Sequence, residues 1–205
     1  MKKFELTAEF VTNVFGKKLF RIKALVAFGN IEKGELGGFI EKEDNLSHAG
    51  NAWVSGNAWV SGNAWVSGNA QVSGNAQVFG NAWVFGNAQV FGNAQVSGDA
   101  QVSGDAQVFG NAQVFGNAQV SGDAQVFGNA DYAVVAGFGR YFRTTTFFRC
   151  KDKILRVQCG CFYGDLAQFR EIVKKTHGDS KYAKEYLAIA DLMELHFSDE
   201  CGGEQ

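Results

Sequence analysis

The stretch Gly50-Asn51-Ala52-Trp53-Val54-Ser55-Gly56-Asn57-Ala58-Trp59-Val60-Ser61 holds one six-residue unit twice, and the unit runs on unbroken to Ala130. Its form is Gly-(Asn/Asp)-Ala-(Trp/Gln)-Val-(Ser/Phe). Gly recurs from Gly50 to Gly128, Ala from Ala52 to Ala130 and Val from Val54 to Val126, each at intervals of six. Self-similarity at a fixed short period is the signature of a stacked architecture. In an extended Ala-x-Val the outer two side chains share one face and the middle one points away. Ala and Val therefore turn inward, and Trp or Gln outward. The Gly-Asn pair suits a corner, because glycine reaches positive φ freely and Asn or Asp tolerates it better than most residues. A helix is excluded: six residues sweep about 600° at 100° each, so valine would wander around the surface.

The aliphatic residue followed four positions later by a small one (Val54 to Ala58, Val60 to Ala64 and onward) resembles the hexapeptide-repeat proteins, which fold as a single-stranded left-handed parallel β-helix. The resemblance implies three hexads per triangular coil and about 4–5 coils of 18 residues over residues 50–130. The phenylalanines alone leave a twelve-residue coil open, since that period also aligns Phe79, Phe91, Phe115 and Phe127. With the longer coil, Asn51, Asn69, Asn87, Asp105 and Asp123 form one solvated corner ladder, Phe91, Phe109 and Phe127 an aromatic ladder beside it, and Trp65 and Trp83 a stack on another side. Trp53, Trp59, Phe79, Phe85 and Phe115 complete a set of ten outward aromatics. So much exposed apolar surface marks an interface. A homo-oligomer, dimer or trimer, is expected, with the C-terminal region of the chain as competitor for the same surface.

The composition of the 205 residues bounds the rest. Nineteen Lys+Arg against 21 Asp+Glu, net −2, argue against a nucleic-acid footprint over the whole chain. Three acids in the repeat, Asp99, Asp105 and Asp123, are too few to imitate DNA. Nothing approaches the roughly 20 consecutive apolar residues of a membrane span. Zero Pro and 26 Gly reflect the repeat. Cys150, Cys159, Cys161 and Cys201 lack a framework spacing, and Lys2 and Lys3 follow Met1 with no secretory apolar stretch, which reads as a reduced, cytoplasmic compartment.

A solenoid needs caps over its end strands. Residues 1–49 read as the first, β-rich, with Phe20, Ile22, Ala24, Val26 and Phe28 alternating with Arg21 and Lys23 up to a Gly29-Asn30 turn. The leader Gly37-Gly38-Phe39-Ile40-Glu41 through Asn45-Leu46-Ser47 is similar to one preceding the hexad arrays of many phage and prophage proteins, which implies the cytoplasm of a bacterial host. Residues 131–197 read as an α+β module: a hairpin of Arg143–Cys150 and a strand through Leu155, Val157 and Cys159, then two helices. Asp165 caps the first helix in a capping box with Gln168. Leu166, Phe169, Ile172 and Val173 share its face, and His177-Gly178 ends it. Asp179 or Ser180 caps the second, with Ala183, Tyr186, Leu187, Ala190 and Met193 inward. Residues 198–205 read as a flexible tail. The words Gly-Phe-Gly, Arg-Thr-Thr-Thr, Cys-Gly-Cys-Phe and Thr-His-Gly-Asp make this module, too, similar to a C-terminal unit of phage proteins.

Chemistry has few places to sit. The repeat holds no His, Lys or Arg. Hexapeptide-repeat acyltransferases, which the array resembles, use a His near an inserted loop; here His48 precedes the first full hexad, no loop is inserted, and His48 reads as a cap residue. No catalytic residue is assigned, and no cofactor is implied. Cys159, Cys161, His177 and His196 lack the paired spacing of a zinc site, so no metal is expected, and His177 suits a helix C-terminus as it stands. The charged cluster is Arg140, Arg143, Arg149, Lys151, Lys153 and Arg156 against Asp152 alone, near Gly137-Phe138-Gly139 and Thr144-Thr145-Thr146. Arg140, Arg143, Thr145, Arg149, Arg156 and His177 are the candidate contacts to a partner or to an anionic, nucleotide-like ligand, with Phe138, Tyr141, Phe142, Phe147 and Phe148 available to stack. The expectation is a non-enzymatic interaction protein that inhibits a host factor, a defence complex among the candidates; the alternatives are a nucleotide binder or an acyltransferase.

Overall fold

The computed structural model describes residues 2–198; Cys201 and the expected tail beyond Ser198 lie outside them. Three strands come first, β1 (Phe4–Thr12), β2 (Lys18–Ala24) and β3 (Leu36–Ile40), and then thirteen two-residue strands, β4 to β16, from Trp53–Val54 to Gln125–Val126. The register of Gln71, Gln89, Gln107 and Gln125, one above another with their valines, fixes the coil at 18 residues and disposes of the twelve-residue alternative. The prism has three parallel faces: β4-β7-β10-β13-β16, β3-β5-β8-β11-β14, and β6-β9-β12-β15. Every Val and Ala from Ala52 to Val126 is buried inside it.

Corners work differently from the expectation. Positive φ falls on glycine alone, for example +67° at Gly68, while Asn and Asp keep ordinary backbone angles. A Cβ on Gly68 would stand 2.9 Å from the carbonyl oxygen of Gly86 in the next coil, so glycine is needed both for conformation and for space. The amides instead bond along the axis: Asn69 donates to Asn87 (3.0 Å) and Asn87 to Asp105 (2.9 Å), while Asn57, Asn75, Asn93 and Asn111 form a second chain.

Both ends are closed. At the start, β3 adds to the first coil, with Phe39 N–H donating to Ala58 O (2.9 Å) and Glu41 N–H to Val60 O (3.0 Å). Buried Asn45 donates its amide to Gly62 O (3.1 Å) and Ala64 O (2.8 Å), and the buried Lys3 ammonium reaches Gly50 O (3.3 Å) and Ala52 O (2.8 Å). These carbonyls have no preceding coil to serve them, and unpaired they would be costly. The strand expected to reach Phe28 stops at Ala24; the chain bends, and Phe28 pairs with Ile31 across Gly29. This detour carries Phe28 edge-on to Trp53, 5.4 Å between ring centres, and buries that indole. Trp53 was expected to face outward; the cap covers it because it stands in the first coil.

At the far end the module has four antiparallel strands, the expected Arg143–Cys150 and Leu155–Cys159 segments being flanked by one more on each side: β17 (Tyr132–Phe138), β18 (Arg143–Arg149), β19 (Leu155–Cys159) and β20 (Phe162–Asp165). Helices α1 (Leu166–His177) and α2 (Lys181–His196) follow, capped by Asp165 and Ser180. Strand alternation splits β18 between two cores. Phe148, with Cys150 just past the strand, packs on the last valines, while Phe147 joins Val157 against Phe169 and Tyr186 of the helices. On the helix faces Ile172 is exposed, Leu187 packs half-buried against the core as expected, and Ile189 is buried beside it. Gln119 N–H donates to Thr146 Oγ1 and Gln113 N–H to Asn129 Oδ1, both 2.9 Å, closing last-coil amides. The module is thus a lid on the end of the prism. None of the described helices is long and apolar enough to cross a membrane.

Candidate functional site

Two features remain after the fold has been accounted for. The first is aromatic and lies on the sides of the prism. Trp65 and Trp83 meet edge-to-face, 5.8 Å between centres and 82° apart, and are 40% and 46% exposed. Phe91 and Phe109 stack in parallel at 5.0 Å, and Phe127 closes that ladder edge-on at 5.2 Å, itself 61% exposed. Phe115 is exposed as well, at 58%, whereas the N-terminal hairpin reaches one group of rings: Phe15, between β1 and β2, lies 5.6 Å from Phe79, which contacts Trp59 at the same separation. The C-terminal region, expected as competitor for these sides, closes the end of the prism instead.

The second feature is a cavity of about 200 Å³ between the rim of the four-stranded sheet and the two helices. Its lining includes the buried Phe169, Val173 and Tyr186, the half-buried Phe162 and the exposed Ile172; Arg140, Tyr141, Arg143, Cys159, Cys161, Thr176 and His177 complete it. Both guanidinium groups lie over one ring, Tyr141, at 5.5 Å for Arg140 and 5.1 Å for Arg143. Burial, and then the neighbouring Cys159 sulfur, push the Tyr186 phenol up to about 12.

Of the six predicted contacts, Arg140, Arg143 and His177 converge here. Thr145 is buried behind the wall and donates its hydroxyl to Cys159 Sγ at 3.2 Å, so it positions that wall and offers nothing to a ligand. Arg149 donates to Phe197 O at 2.8 Å, beyond the last turn of α2. Arg156 shares its sheet face with Phe148, toward the prism, and pairs with Asp152 at 2.6 Å. Strand parity separates them: Arg143, Thr145, Phe147 and Arg149 point one way, and Arg156 the other. Cys159 and Cys161 also border the cavity, but His196 stands at the far end of α2 against Phe197. Among the described residues no three His, Cys, Asp or Glu side chains stand close enough to hold an ion. The helical wall (Ile172, Thr176, Tyr186) was missed; Ile172 looked like one more residue on an apolar helix face, and only its exposure singles it out.

His48 is committed to the first cap. Its Nδ1 accepts from Lys3 N–H (3.1 Å), which leaves Nε2–H to donate to Glu43 (2.7 Å), and its ring stacks on Phe4.

The geometry defines a β-solenoid repeat protein, mainly β, with a lid at each end. Comparison with known families agrees: the model described as the YdcK β-solenoid repeat matches residues 52–68, 70–86, 76–92, 88–104 and 106–122, so this array is similar to those repeats. No curated protein matches the chain.

Proposed function

We propose that this is a non-enzymatic interaction protein, a rigid solenoid that self-associates into a dimer or trimer through its uncovered aromatic rows and presents the C-terminal module to a partner. The observation that carries it is the exposure of Trp65, Trp83, Phe115 and Phe127 on walls where other hexads carry Gln or Ser at the same positions. Support for a non-catalytic role is the lack of His, Lys and Arg in the array and the engagement of both nitrogens of His48. The phage-like leader supports a partner drawn from the bacterial host and met in its cytoplasm, a defence factor included.

The repeat supplies its own conservative test. Gln and Ser occupy the equivalent positions of other hexads, so Trp83→Gln with Phe109→Ser and Phe127→Ser keeps every rung legal. Sedimentation of the full chain at tens of micromolar is expected to give a dimer or trimer, and the triple variant a monomer with an unchanged circular dichroism spectrum. A monomeric wild type overturns the reading. A second reading, an anion site in the C-terminal module, is favoured by the meeting of Arg140 and Arg143 over Tyr141 at the mouth of the cavity.

A further inference from the structure

We propose that the C-terminal cavity binds a carboxylate carried on one small apolar group, a single aromatic ring or a branched alkyl chain. This rests on the anion-site reading above and is independent of self-association. Size comes first: about 200 Å³ falls below the roughly 300–1,000 Å³ of pockets that enclose drug-sized ligands, which leaves space for one ring and too little for a base with its sugar and phosphates. The lining is then decisive. Phe162, Phe169, Ile172 and Val173 offer carbon, which rewards an apolar body.

Charge at the mouth completes the match. Among the described residues neither Arg140 nor Arg143 has a carboxylate partner, although Asp152, Asp191 and Glu194 engage arginines elsewhere in the same module. The Arg143 guanidinium is held in place: it lies over Tyr141 and against Gly160, where a Cβ would come within 2.5 Å of its Nη1. A planar fork fixed above an apolar chamber suits a planar, singly charged carboxylate. The acid can be a free small molecule or the C-terminus of a peptide ending in a bulky apolar residue. Both present the same headgroup on the same kind of stem.

Cys161, exposed on the cavity lining, provides a readout within the full-length protein. Benzoate and phenylacetate, their amides, inorganic phosphate, AMP, and a tripeptide ending in Phe with a free or amidated terminus would each be titrated. Thermal shift would be followed together with the rate at which iodoacetamide labels Cys161, read by peptide mass. A saturable shift and at least fivefold slower labelling are expected with an acid and neither with its amide. Arg143→Gln should weaken binding at least tenfold. Ile172→Trp, a substitution at an exposed position on the lining, should abolish it with both arginines intact. Protection by the free-terminus peptide alone names a partner's C-terminus as the source, and protection by the small acids names a free ligand. Effects of phosphate and AMP without the acids overturn the carboxylate proposal and leave an anion site standing, whereas equal effects of acid and amide overturn both, because the neutral amide carries no charge for the arginines to read. No effect from any anion overturns both.

Discussion

Lys3 shows how one buried charge can serve a solenoid. Its ammonium sits beneath the Phe28 ring, 4.6 Å from the centroid, and donates to two first-coil carbonyls, yet burial pulls its pKa down from 10.5 to about 8. Below about pH 8 both folded and unfolded chains carry the proton, and the cost of burying the charge is felt in full. Between about 8 and 10.5 the unfolded chain holds more protons, so this residue makes stability rise with pH. Cys150 and Tyr163 act in the opposite sense. Burial is the main cause for both, seconded by Asp123 for the thiol and by Cys150 for the phenol, and each group rises to about 12, so their share of stability falls as pH climbs past their unfolded values. The contrast between wild type and Lys3→Met isolates the lysine. From pH 7.5 to 10 the wild type should gain on the order of 2–3 kcal/mol relative to the variant in urea unfolding. Parallel pH profiles would refute the assignment.

At the scale of the element, each rung depends on its glycine corner. Gly68→Ala would force a side chain into the left-handed region, a cost of roughly 1–2 kcal/mol, and would also press its Cβ on Gly86 O at 2.9 Å. A loss of at least about 2 kcal/mol is expected in denaturant midpoints, whereas Ser97→Ala, at the residue that opens a corner through its backbone carbonyl and not through its side chain, should stay within about 0.5 kcal/mol. The rungs were legible in the sequence because every one obeys a single local rule, and the capping box of α1 was legible for the same reason. What escaped depended on distant chain. Trp53 and Trp59 occupy identical hexads, and only the Phe28 detour distinguishes them. The alternation of Phe4, Leu6, Ala8 and Phe10 with Glu5, Thr7 and Glu9 does announce β1, a strand the sequence reading passed over. In the candidate site, Arg140, Arg143 and His177 were nameable as charged residues, but their meeting depends on α1 folding back over the sheet. Arg156, the same residue type a few positions along, falls on the other face by parity.

For the molecule as a whole, the amino-terminal lid pairs with the first coil and reaches the second through Phe15 against Phe79, the carboxy-terminal lid closes the last coil, and the prism between them repeats one rung in register. Removing 97–102, one complete hexad, joins Val96 to Ser103 and keeps each later valine inside. Removing 97–101 joins Val96 to Val102 and puts every inward residue of the following hexads out of step. The six-residue deletion should melt cooperatively within a few degrees of the parent, and the five-residue deletion should lose its β spectrum; equal behaviour of the two would contradict the stacked architecture. The uniform middle also works as a protractor. Taking out or adding one hexad swings the carboxy-terminal lid by a third of a revolution relative to the amino-terminal hairpin, and eighteen residues restore the original bearing at a new height. Azimuth and span between the two working ends can thus be dialled separately by changes in repeat number alone, without altering a side chain at either end.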